Sequence, residues 1–166
     1  MNLHHDILEA AYPGQSHRFF LPISIGGTPA LADEGAGLIL SGIKTATSSA
    51  FWDYPDGRIP FAGALSVLLD GRDQPVAIIE TTGVMPVRYC DVTQAMALAY
   101  GEGERTLASW HHHTGGWFRA KAAREGQSFS DETIILWETL AVARRLSSSA
   151  TDDSGSNHTP QQHSGL

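Results

Sequence analysis

Apolar positions recur with two different periods along this chain, and the switches between them mark its elements. Residues 1–12 (MNLHHDILEAAY) place Leu3, Ile7, Leu8 and Ala11 on one helical face. Pro13-Gly14 breaks that segment, and Phe19, Phe20 and Leu21 follow as an apolar docking segment or short strand before Gly26-Gly27. A second helix opens at Thr28 or Pro29 and runs to about Ser41, with Ala32, Gly35, Leu38 and Ile39 on its buried side. Between residues 64 and 90 the spacing becomes that of strands: Ala64–Leu69, a turn at Asp70-Gly71, Val76–Thr81, a bend or bulge at Thr82-Gly83, and a third run at Val84–Tyr89. The first two runs predict an antiparallel pair.

Helical spacing returns at Asp91–Tyr100, where Asp91 or Thr93 caps the start and Gly101 the end. Thr106 caps a further helix that Gly115-Gly116 interrupts or kinks, with Trp110, Trp117 and Phe118 facing the core. Thr133–Val142 is a closing strand with Ile135, Trp137, Thr139 and Ala141 on one face. Residues 147–166 are rich in Ser, Thr, Gln, Asp and Gly and read as a disordered tail. The organisation is a helix and docking segment over 1–27, a folded domain over 28–146, and that tail.

Composition narrows the function. A chain of 166 residues, 42% hydrophobic, suits one domain with a real core. It has no apolar run near the roughly eighteen residues of a membrane span, and no basic-then-apolar leader. The single Cys90 excludes an internal disulfide and a Cys-based zinc site, and reads as a small buried hydrophobe. Together these favour a cytoplasmic location. A net charge of −7 argues against charge-driven binding of long nucleic acid. A small nucleotide, a nucleoside or a short RNA end in a local basic pocket stays open.

Three stretches carry candidate chemistry. In LILSGIKTATSS (residues 38–49) an apolar run stops at Gly42, and Lys44 stands among Thr45, Thr47, Ser48 and Ser49. This is a small polar site or simply a helix C-cap with a polar loop behind it. Glu80 lies in VAIIETT at the end of an apolar strand, so it meets solvent or faces an enclosed polar site. FWDYPDGRIPFAG (residues 51–63) reads as an ordered loop that walls a pocket, or one pinned to the core by Phe51 and Trp52. His111, His112 and His113 invite a metal, but adjacent helical residues point about 100° apart and cannot converge on one ion. Neither metal nor cofactor is expected.

The stretches LILSGIKTAT, VAIIETTGV, DVTxxxAxAYGEGE, TLxxWxxxxxxWF and IILWETLAVA, in this order, resemble the ASCH domain. The resemblance implies an α+β fold: a small PUA-like β-barrel with flanking helices. Gly42, Lys44 and Thr47 match the family's Gly-x-Lys-x-x-Thr motif, and Glu80 matches the acid on its central strand. Glu102, Gly103 and Glu104 resemble its Glu-Gly-Asp segment, with Glu in place of Asp, and Trp110 and Trp117-Phe118 match its aromatics. His111 and Thr114 stand where an Arg and a His are common.

One branch of the family is an amidohydrolase that removes acetyl from N4-acetylcytidine. By resemblance Lys44 is the proton acceptor, Thr47 the nucleophile and Glu80 the proton donor. Trp52, Tyr54, Arg58 and Arg88, read from the residues themselves, are the expected substrate contacts. The expected partner is a nucleoside or short single-stranded RNA, not a membrane, and a dimer stays open. The alternatives are an RNA-binding module and a metal-assisted ribonuclease. In the former, Lys44, Arg58, Arg88, Arg119, Lys121 and Arg124 hold phosphates while Trp52 and Tyr54 stack on bases.

Overall fold

The computed structural model describes residues 3–147. Its elements in chain order are α1 (Leu3–Ala11), β1 (Phe19–Ile23), α2 (Pro29–Leu40), β2 (Ala46–Ala50), β3 (Leu65–Leu69), β4 (Pro75–Arg88), α3 (Gln94–Tyr100), α4 (Leu107–Arg124) and β5 (Ile134–Arg145). Beyond Ser147 the expected tail lies outside the described residues.

The strands form one mixed sheet in the order β1-β3-β4-β5-β2. β1 runs parallel to β3, and the other neighbours are antiparallel. The fold is α+β, as expected, but the barrel is corrected to an open sheet. β1 and β2 are its two edges and do not pair with each other. The two short edges are instead sheltered by helices and loops.

Local sequence explains the helix limits. Side-chain oxygens of Thr28, Thr93 and Thr106 accept from the backbone N–H of Leu31, Met96 and Ser109, capping α2, α3 and α4. The glycine pair does not interrupt α4, which is helical throughout. Gly115 serves a close approach instead: a Cβ there would fall 1.9 Å from the Tyr89 phenol oxygen. The two expected strands over 76–89 are one long β4, with the register shift lying between Thr81 and Gly83. The ATSSA stretch, read as loop, is strand β2, hydrogen-bonded to β5 from Ala46↔Thr139 to Ala50↔Ile135. It has no alternation of large apolar residues to announce it.

The core has three parts. Leu8 of α1 packs on Leu65 and Ile78 on one sheet face. Farther along the sheet, Tyr100, Trp110 and Phe118 from the α3–α4 pair pack with Ala46, Ile135 and Trp137. On the other face α2 lays Ala36 and Ile39 over Leu68, Ala77, Ile79 and Leu140. Each fully buried Leu, Ile or Phe contributes about 1.5–3 kcal/mol relative to exposure. Two core expectations are corrected. Trp117 is 45% exposed, because Phe118 takes the inward position of α4. Cys90 is exposed, in a turn beside Asp91 and Glu132.

Candidate active site

The chain leaves α2 in a tight C-cap. Ser41 N–H donates to Gly37 O, Gly42 N–H to Ile39 O, and the N–H groups of Ile43 and Lys44 both donate to Leu38 O. This turn sends Lys44 inward. Its side chain is fully buried, and its ammonium donates to Glu102 Oε1 at 2.7 Å and to Tyr100 O at 3.1 Å. The same nitrogen lies 3.5 Å from the centre of the Tyr100 ring, a cation–π contact. Burial pushes the Lys44 ammonium below its ordinary range, and the Glu102 charge and hydrogen bond oppose that shift.

Gly101 makes this approach feasible. It ends α3 at φ +80, and a Cβ there would fall 2.7 Å from both Ile43 O and Lys44 Cα. The left-handed turn at Gly101 then delivers Glu102 to Lys44.

Thr47 lies on β2, three residues after Lys44, and the strand carries it away from the ammonium. Tyr100 spans the gap. Its ring covers the Lys44 ammonium, while its phenol sits among the hydroxyls of Ser48, Thr114 and Thr47. Burial pushes that phenol up to about 12, against the pull of those hydroxyls. Thr47, Tyr100 and Glu102 all line a cavity of about 560 Å³ at the β2 edge, between α2 and α4. Ile25, Leu31 and Leu38 form one wall; Ser109, Trp110, His113 and Trp117 form the other. The Trp117 indole, exposed at its rim, offers a flat stacking surface.

Lys44 and Glu80, both expected at the site, are not brought together. Glu80 aligns with Leu65 and shares a sheet face with Ile78, the face that α1 covers. There it pairs with Arg18 at 3.2 Å. Thr47 faces the other way, aligned with Glu138, whose carboxylate accepts from Thr81 Oγ1 at 3.2 Å. Alternation along a strand puts residues 80 and 81 on opposite sides, and Glu80 lies on the α1 side with Arg18 and does not line the cavity.

The four expected substrate contacts do not gather at the cavity either. Trp52 Nε1 donates to Glu125 at the end of α4. The Tyr54 phenol donates to Ser49 Oγ at 2.9 Å. Arg58 lies over the Phe20 ring and binds the Phe19 carbonyl. Arg88 is held by Asp91 and Glu132. None of the four lines the cavity. The three histidines diverge as the helix dictates: His111 packs on Tyr89 and Trp110, while His113 reaches the cavity.

Two residues of the site had no role assigned from sequence, Tyr100 and Glu102. A signal for Glu102 existed. An acid just past a helix C-terminus opposes the helix dipole, so it needs a cation nearby. Lys44 is that cation.

Glu138 is a buried carboxyl. No cation lies within ion-pair distance of it among the described residues, and burial pushes its pKa up to about 7, with the Thr81 hydrogen bond opposing.

A mixed open sheet of PUA-like kind, flanked by helices and carrying a cavity at one edge, is the class of domain these features define. The ASCH domain family model matches residues 22–144, and the chain belongs to that family. Among solved structures it is similar to the ASCH domain from Lactobacillus crispatus JV V101, with 25% identity, 87% of this chain and 96% of that chain covered, and a TM-score of 0.76. It is also similar to protein EF3133 from Enterococcus faecalis V583, with 26% identity, 86% and 85% coverage, and a TM-score of 0.70. No curated protein gives a significant match. No helix among the described residues is long and apolar enough to cross a membrane.

Proposed function

We propose that the cavity is the active site of an amidohydrolase that removes the acyl group from N4-acetylcytidine or a related small amide. One observation carries this reading: a fully buried Lys44 paired with Glu102 at 2.7 Å, behind a cavity whose wall contains Thr47 and Glu102. A threonine hydroxyl is a weak nucleophile and needs an adjacent base. The Lys44–Glu102 pair shares a proton in a desolvated setting, and burial lowers the Lys44 pKa from its ordinary range while Glu102 opposes that shift.

In this mechanism the Thr47 proton passes to the carboxylate of Glu102, the member of the pair that lines the same cavity, as Thr47 Oγ bonds to the acyl carbon. The C–N bond then breaks, and the amine nitrogen takes the proton from Glu102, the member of the pair that lines the cavity. Water next attacks the acyl-threonine. Its hydroxyl leaves with the acyl group as the free acid, and its other proton returns through the pair to Thr47 Oγ. Glu102 thus replaces Glu80 as the proton donor. Trp117 supports the substrate class, since an exposed indole beside an apolar wall suits a nucleobase.

ASCH domains are associated with RNA binding. In this chain the basic residues suited to phosphates are largely neutralised internally. Arg88 is paired with Asp91 and Glu132, Lys121 with Asp53 and Glu125, and Arg124 with Glu125. The cavity therefore carries the stronger argument. The test is turnover of N4-acetylcytidine to cytidine and acetate by the purified protein. Wild-type protein is expected to turn over and Lys44→Met is not. Absence of wild-type turnover removes the reading.

A further inference from the structure

We propose that Tyr100 is a catalytic residue of this site, its phenol donating the hydrogen bond that holds the acyl oxygen as Thr47 attacks. The inference rests on the hydrolytic reading and deepens it.

The argument starts from what attack creates. When Thr47 Oγ bonds to the acyl carbon, the carbonyl oxygen gains charge and needs a donor already aimed at it. The Lys44 ammonium is an unsuitable donor. It is held by the Glu102 carboxylate and the Tyr100 carbonyl, it lies against the Tyr100 ring, and its side chain is fully buried. Tyr100 is different. It lines the cavity, and its phenol stands beside the Thr47 hydroxyl. A phenol pushed up to about 12 keeps its proton throughout the physiological range, so it is a constant donor.

Its position is fixed from three sides. The ring packs edge-on to Trp110 with centroids 6.0 Å apart, and lies 5.7 Å from Trp137. Lys44 rests on its face. Ser48 and Thr114 flank its oxygen. A donor held this way costs no reorganisation when charge develops. The same ring links the two halves of the mechanism: its face stabilises the cation of the proton-carrying pair, and its edge reaches the nucleophile.

The test compares wild-type protein, Tyr100→Phe, and protein carrying 3-fluorotyrosine at position 100, all with N4-acetylcytidine over a pH series. Tyr100→Phe keeps the ring, the packing and the cation–π contact and removes only the hydroxyl. Its melting temperature is expected to stay near wild type and its KM to change by about twofold at most, while kcat falls on the order of 100-fold. The fluorinated phenol is more acidic, so the alkaline limb of kcat is expected at lower pH than in wild type. That substitution changes a single ring hydrogen and gives a readout even if Tyr100→Phe folds poorly. A Tyr100→Phe kcat within about twofold of wild type, or an unmoved alkaline limb, overturns the Tyr100 assignment while wild-type turnover leaves the hydrolytic reading standing. No wild-type turnover overturns both.

Discussion

Two ion pairs in different surroundings on one domain show how those surroundings decide what the same chemistry does. Arg18–Glu80 is a 3.2 Å pair whose side chains are 26% and 37% exposed. Lys44–Glu102 is a 2.7 Å pair in which the lysine has no exposure and the carboxylate keeps 39%. The first is a surface contact, weakened by water and salt, worth about 0–1 kcal/mol. The second has one member in a dry interior and the other on a cavity wall. Desolvation there works on the proton held between the two groups, and the cavity gives substrate access to it. What distinguishes a candidate catalytic pair from a structural one is this asymmetry of exposure, not the distance alone.

Breaking the two pairs is therefore expected to have unequal consequences. Lys44→Met is expected to lower N4-acetylcytidine turnover by on the order of 1,000-fold, within the range for loss of a positioned acid–base group. Melting temperature should stay near wild type, because a methionine fills a similar volume without the cost of burying a charge, and Glu102 can turn to solvent. Turnover assays paired with thermal melts check both halves.

Glu138 sharpens the comparison as a buried carboxyl with no cation. Its ordinary value is 4.5 and its folded value about 7, so the folded state holds the proton more tightly than the unfolded state. Stability is then expected to fall as pH rises from about 4.5 to about 7 and to level off above that, by about 3 kcal/mol in total. Glu138→Gln is expected to flatten this slope. Urea unfolding at several pH values reads it directly.

Two glycines with positive φ give the next contrast. Gly101→Ala is expected to cost about 2–3 kcal/mol, since it adds backbone strain and a clash with the Lys44 segment. It should also lower turnover by displacing Glu102. Gly63 donates to Thr81 O and sits on the Arg18 side of the sheet, where Arg18 Nε donates to its carbonyl. Gly63→Ala has open space around it and is expected to cost only the conformational strain, about 1–2 kcal/mol, with turnover unchanged. The smallest effect is expected from Arg18→Met: a stability change under about 1 kcal/mol and no change in turnover. A large loss of activity in that variant would erase the distinction between the pairs.

Much of the frame is legible in the sequence because its signals are local. Thr28, Thr93 and Thr106 mark helix starts, and each accepts the capping hydrogen bond. The apolar runs at 65–69 and 76–81 mark the antiparallel pair. β2 is not legible, because ATSSA has small and hydroxyl side chains and is a strand by virtue of its pairing with β5. Sheet closure is likewise a property of edges far apart in sequence. At the site, Lys44 and Thr47 stand out locally as a cation among hydroxyls. Their partner does not, since Tyr100 is 56 residues from Lys44 and becomes its neighbour only when α3 docks on the β2 edge. Glu80 attracts attention as an acid in an apolar strand, yet its strand parity turns it toward α1.

The central claim is that the cavity-side carboxylate, Glu102, carries the proton for amide hydrolysis and Glu80 does not. Glu102→Gln and Glu80→Gln, assayed side by side on N4-acetylcytidine, test it most directly. Glu80→Gln is expected to match wild type, and Glu102→Gln to lose on the order of 100-fold or more. Full activity in Glu102→Gln with loss in Glu80→Gln would contradict the claim.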